Sequence, residues 1–133
     1  MSTSLLSLND ICMEYPGFKA VSNLTIDIKA GEFISLMGPS GCGKSTTLRM
    51  IAGFEIPDRG TVMINKQVVA GQRRWVAPEK RGLGVVFQEY ALFPHLTVEQ
   101  NVAVGLPKMK RRKRAMRVAE VLSLVGLSDM KKR

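Results

Sequence analysis

Between residues 24 and 29 the apolar positions Leu24, Ile26 and Ile28 alternate with Thr25, Asp27 and Lys29. That period of two predicts a strand with one buried face, and Ala30 and Gly31 read as the turn after it. The next run, residues 33–37, is nearly continuous in apolar character and leads straight into a glycine-rich loop, which predicts a strand buried on both faces. Beyond the loop the period lengthens. Leu48, Ile51 and Ala52 fall at helical spacing, Gly53 suits the C-terminal cap, and Pro57, Asp58 and Gly60 make a turn. Two short strands are predicted over residues 61–65 and 67–70, and a loop containing Pro78 leads to a further buried strand over 83–87. Thr97 and Gln100 have the spacing of a capping box at the start of another helix, which Gly105 and Pro107 end. In a last helical pattern Ala115, Val118, Leu122 and Val125 share one face.

Length and composition narrow this picture. The chain has 133 residues, 45% hydrophobic and 23% charged, which predicts one folded domain over residues 1–133 and argues against disorder. No apolar run reaches the roughly 20 residues of a membrane-spanning helix, and the start MSTSLLSLND does not read as a signal peptide. A cytoplasmic location is the expectation. Cys12 and Cys42 have neither metal-ligand spacing nor a disulfide framework and are read as free thiols. The net charge of +9 is uneven: residues 108–133 hold ten of the 20 Lys and Arg residues against Glu120 and Asp129. Such a run could neutralise phosphates. Because it overlaps the last helical pattern, it reads first as the solvated side of a helix.

The chemistry lies in Gly38-Pro39-Ser40-Gly41-Cys42-Gly43-Lys44-Ser45-Thr46, which fits the phosphate-loop pattern G-x-x-x-x-G-K-[ST]. An apolar strand enters it and a helix leaves it, so backbone N–H groups and the positive end of the helix dipole converge on one anion. Gly41 and Gly43 permit the curvature. The Lys44 ammonium would reach the β- and γ-phosphates, the Ser45 hydroxyl would ligate Mg²⁺, and Thr46 would support the phosphates. Cys42 occupies a variable position and reads as a small filler, since no base is placed to make it a nucleophile. The loop alone does not separate kinases, GTPases and transport ATPases.

Its surroundings do. Glu14-Tyr15-Pro16-Gly17-Phe18-Lys19-Ala20-Val21, followed by Ala30-Gly31-Glu32-Phe33, resembles the start of ATP-binding-cassette subunits. That resemblance implies that Tyr15 stacks on adenine, with core filling as the alternative, and Phe18 is read as a core residue. Residues 84–98, from Gly84-Val85-Val86-Phe87-Gln88-Glu89-Tyr90 through Phe93-Pro94-His95 to Val98, resemble the Q-loop region of the same family. Gln88 would then offer its carbonyl oxygen to Mg²⁺ and its amide to the attacking water or γ-phosphate. His95, the single histidine, does not match the family's catalytic histidine and reads as a loop residue. The wording of residues 78–84 and 90–94 is most similar to importers of the ferric-iron, polyamine and small-solute group, leaning slightly toward the iron type.

The resemblance implies an α/β fold: a P-loop NTPase core with an N-terminal antiparallel β subdomain, forming an incomplete nucleotide-binding domain. The family's signature motif, Walker B aspartate, catalytic glutamate and switch histidine do not occur within these residues. The implied role is an ATP-binding subunit, or a fragment of one, that couples ATP binding and hydrolysis to solute import, with turnover by these residues alone not expected. The implied ligands are ATP and Mg²⁺. The implied partners are transmembrane permease subunits, a second ATPase subunit in a head-to-tail dimer and, indirectly, a solute-binding protein, at the inner face of the cell membrane and without nucleic acid. A cytosolic ATPase of the same family, or another phosphate-loop enzyme, is the alternative.

Overall fold

The computed structural model describes residues 4–71 and 73–133. Met1 to Thr3, the first part of the stretch read above for a signal peptide, lie outside them. The chain divides into two compact units, Met1–Val85 and Val86–Arg133.

The first unit is built on five strands: β1 (Ser4–Tyr15), β2 (Phe18–Lys29), β3 (Arg59–Ile64), β4 (Gln67–Gly71) and β5 (Arg74–Trp75). They form one sheet in the order β2-β1-β3-β4-β5, with every pairing antiparallel. β1 and β2 make a long hairpin closed at Pro16 and Gly17, where Tyr15 pairs with Phe18. The alternation read at Leu24, Ile26 and Ile28 is present, each of them half-buried. In β1 the buried residues Leu8, Ile11 and Met13 do not keep a strict period of two. A register shift between Leu8 and Ile11, with Asp10 at φ 48°, inserts the extra residue that returns Ile11 to the core face. Asn23, at φ 47°, stands between Val21 and Leu24 in β2.

One helix, α1 (Lys44–Ala52), follows the glycine-rich loop, and Gly53 at φ 95° ends it as its sequence suggests. Met50 is the residue it sinks into the core, with Leu8, Ile11, Val62, Ile64 and Ala70 of the sheet. Of the three residues read at helical spacing, Ala52 is buried and Ile51 is half-buried against the core cluster, while Leu48 is exposed. A 3-10 turn at Pro78–Lys80 closes the unit.

Two expectations are corrected here. Residues 33–37 and 83–87 do not enter a sheet, and they are not buried: Phe33 is 95% and Val86 98% exposed. A strand buried on both faces needs parallel neighbours and cover on each side, and the described strands pair only antiparallel with one another. Phe18 is the other correction. It is half exposed, because its place beside the hairpin turn carries it past the end of the core.

The second unit holds α2 (Val98–Val104), α3 (Arg111–Leu124) and a 3-10 turn at Ser128–Met130. The capping box is present: the Gln100 N–H donates to Thr97 Oγ1 and the Thr97 N–H to Gln100 Oε1. Val118 and Leu122 are the buried residues of α3. Val125 is exposed, since the helix ends at Leu124 and the chain turns away before another residue can join that face. The basic side chains from Lys110 to Arg114 and at Arg117 are exposed. Among the described residues no helix is long and apolar enough to cross a membrane, and Cys12 and Cys42 are free thiols.

Candidate functional site

The loop over residues 38–43 is exposed apart from half-buried Gly43, which caps α1 in the left-handed conformation at φ 87°. Its fit is set by β2. A side chain at 43 would collide with the Ala20 carbonyl oxygen and press on Val21, so the loop's last residue lies directly on the strand backbone. The first intrahelical bond runs from the Thr47 N–H to the Gly43 carbonyl at 2.8 Å. The N–H groups of Lys44, Ser45 and Thr46 precede it and have no intrahelical acceptor. They point out of the positive end of the helix dipole, which suits an anion.

Lys44 supplies the full charge. Its side chain is half-buried, and Nζ donates to the Gly38 carbonyl at 2.8 Å and the Pro39 carbonyl at 2.6 Å, with Cys42 Sγ 3.2 Å away. The ammonium therefore sits inside the loop beside the helix start, and one side chain ties residues 38, 39 and 42 together. The Ser45 hydroxyl is on an exposed residue of the first turn, and Thr46 is half-buried. Thr47, which sequence reading passed over, is buried and donates from Oγ1 to the Gly43 carbonyl at 2.9 Å. It secures the bend from loop to helix.

The far end of α1 is also held by side chains. Arg81, 5% exposed, donates from Nη1 to the carbonyls of Met50 and Ile51, both at 2.8 Å. Its Nε donates to Val76 at 2.7 Å and its Nη2 to Val69 at 3.2 Å. Burial lowers the Arg81 pKa from the ordinary arginine value. Trp75 Nε1 donates to the Gly53 carbonyl at 3.3 Å. Nothing in the sequence distinguished Arg81 from the other basic residues, because its acceptors lie as far as 31 positions away.

Tyr15 ends β1, half-buried and packed against the core cluster. The strand beside it is anchored by Asp58, whose Oδ2 accepts from the Glu14 N–H at 2.7 Å and whose N–H donates to the Cys12 carbonyl at 3.0 Å. Gln88 is exposed and belongs to the second unit. The loop that follows it is organised by Asn101 of α2. Its Nδ2 donates to the carbonyls of Phe93, Leu96 and Thr97, and its Oδ1 accepts from the Phe93 N–H at 2.8 Å. His95 lies in this loop against Phe93, ring centroids 6.1 Å apart. No cluster of three or more His, Cys, Asp or Glu residues is placed to hold a metal among the described residues.

The family model described as ABC transporter matches residues 21–133. The chain is 47% identical over 135 residues to the spermidine/putrescine import ATP-binding protein PotA of Marinobacter nauticus, a match covering 100% of this chain and 35% of that protein. It is 45% identical over 123 residues to a sulfate/thiosulfate import ATP-binding protein of Chromobacterium violaceum, covering 92% of this chain and 32% of that one. The chain thus spans about a third of the length of these curated relatives. Among solved structures, the dimeric post-hydrolysis state of the ATP-binding cassette MJ0796, bound to ADP and Pi, superimposes with a TM-score of 0.78 at 28% identity, covering 96% of this chain and 60% of that one. A family match over that span of residues, which includes the phosphate loop, makes this chain a member of the ABC transporter family.

Proposed function

We propose that this chain carries the ATP-gripping part of an importer's ATP-binding subunit, and that both of its units belong to one nucleotide-binding domain. One observation carries the reading: the Lys44 ammonium is held against the carbonyls of Gly38 and Pro39, within the glycine-rich loop that leads into the start of α1. Gly38, Pro39, Ser40, Gly41, Cys42 and Gly43 would wrap the phosphates with backbone, and Lys44 would exchange its loop carbonyls for β- and γ-phosphate oxygens. Tyr15 would stack on adenine. Mg²⁺ prefers a few protein oxygens together with phosphate and water ligands over an all-protein cage. Ser45 is the protein oxygen proposed for it in the first unit, and the bound ion would neutralise charge on the phosphates.

In the longer protein this grip would serve ATP hydrolysis coupled to solute import. The partners would be permease subunits and a second ATPase subunit facing the first, at the inner face of the membrane. The relatives quoted are named for polyamine and for sulfate import, and the solute would be handled by other subunits.

Replacing Lys44 with Ala tests the grip. The variant should keep its far-UV circular dichroism and lose most of its Mg-ATP affinity in calorimetric titration, because the loop keeps its backbone donors but not its charge. Wild-type affinity in a folded Lys44→Ala chain would overturn the proposal.

A further inference from the structure

Arg81 is a buried cation whose hydrogen bonds among the described residues all go to backbone carbonyls. Its acceptors are the carbonyls of Met50, Ile51, Val69 and Val76. Neither ion pair formed among the described residues, Arg49 with Glu55 and Arg117 with Glu120, involves it. Burying a charge without a counter-ion is a poor way to gain stability, since well-packed apolar residues often do as well or better. What a guanidinium offers instead is direction, through five donors in a rigid planar fork.

That direction falls on α1. Met50 and Ile51 lie in its last turn, where carbonyls lack intrahelical donors and the dipole is negative, so the helix itself compensates the buried charge. Trp75 holds the carbonyl of the C-cap, Gly53. Gly53 also makes room for the clamp, since a Cβ there would come within 2.6 Å of Arg81 Nε. Through Val69 the same guanidinium ties α1 to β4. The helix has 9 residues and is therefore about 14 Å long. At that length, a tilt at its C-terminal end moves the phosphate-facing N–H groups at the other.

We infer that Arg81 is a positioning residue for phosphate binding. It touches no ligand, and it sets the axis of α1 so that the donors of Lys44, Ser45 and Thr46 converge on one point. The inference rests on the ATP-gripping reading above and deepens it.

The test compares the wild-type chain with Arg81→Lys, which keeps the charge but not the fork, and Arg81→Met, which keeps neither. Dissociation constants for Mg-ATP and for inorganic triphosphate are measured on preparations shown to be folded by circular dichroism and urea unfolding. Misaimed donors should weaken both ligands by on the order of tenfold in Arg81→Met, with Arg81→Lys intermediate. The preference for ATP over triphosphate should not change. A residue that only stabilises the fold would lower the urea midpoint and leave the affinity of the folded chain unaltered, and that result overturns the inference.

If the Arg81 variants do not fold, Gly53→Ala takes their place, because it crowds the guanidinium without removing it. Weakened triphosphate binding in folded Gly53→Ala supports the inference, and wild-type binding overturns it. If the wild-type chain binds neither ligand, the phosphate-loop reading fails and this inference with it. If the wild type binds, Lys44→Ala does not, and the folded Arg81 variants bind normally, only the Arg81 inference falls.

Discussion

Tyr15 stands at the end of β1, half-buried and packed against the sheet core. The two roles weighed for it, stacking and core filling, are therefore compatible in one side chain. Removing the ring in Tyr15→Ala should cost ATP about 1–3 kcal/mol of binding, the usual worth of a base stacked on an aromatic ring. Inorganic triphosphate, which has no base, should bind nearly as before, and equal losses for both ligands would refute the stacking role. Arg81 differs in being buried. Its lowered pKa means that the unfolded chain holds the proton more tightly, so stability linked to it rises with pH only in the strongly alkaline range where arginine titrates. Near neutrality the clamp on α1 stays fully charged and does not act as a pH sensor.

At the scale of elements, α2 and the loop before it behave as one piece because Asn101 bonds to both ends of that loop. Substituting Asn101 with Ala deprives the Phe93 N–H of its acceptor. Amide exchange at Phe93 should then accelerate by on the order of tenfold, the equivalent of one ordinary hydrogen bond, while the amides of α3 are unaffected. The capping box of α2, the glycine end of α1 and the strands around residues 24–28, 61–64 and 67–70 were legible in the sequence because each depends on residues a few positions apart. The phosphate loop was legible for the same reason. The shift at Asp10 that returns Ile11 to the core was not, since it answers to the register with β2 and β3. Nor were Thr47 and Arg81 as supports of the site: Thr47 is one of two adjacent threonines with nothing to single it out, and Arg81 acts across distant parts of the chain.

For the whole molecule, the main departure from sequence expectation is the pair of apolar runs at 33–37 and 83–87. Their composition suits strands, but a strand also requires a partner, and a partner is a property of the surrounding sheet. An exposed apolar run that lies outside the described sheet is a template for intermolecular pairing. Phe33 and Met37 are almost fully exposed in the first unit, and Val86 is likewise in the second. Replacing Phe33 and Val86 with Lys should therefore reduce self-association of this chain, seen as a smaller sedimentation coefficient at a given concentration, with circular dichroism unchanged. An unaltered sedimentation profile would show that other surfaces drive whatever association occurs.

The contact between Gly43 and β2 constrains how the sequence can drift. The obstacle to any side chain at 43 is the main-chain oxygen of Ala20, which is present whichever amino acid occupies position 20. No second-site change there can act as a suppressor, and a Gly43 mutant has no compensating partner at that contact. At Gly53 the nearest obstacle is the Arg81 side chain, so shortening that residue would clear the space. The two ends of α1 therefore differ genetically: at its start the obstacle is the path of a neighbouring strand, at its end it is one side chain, and at both the positive φ still favours glycine.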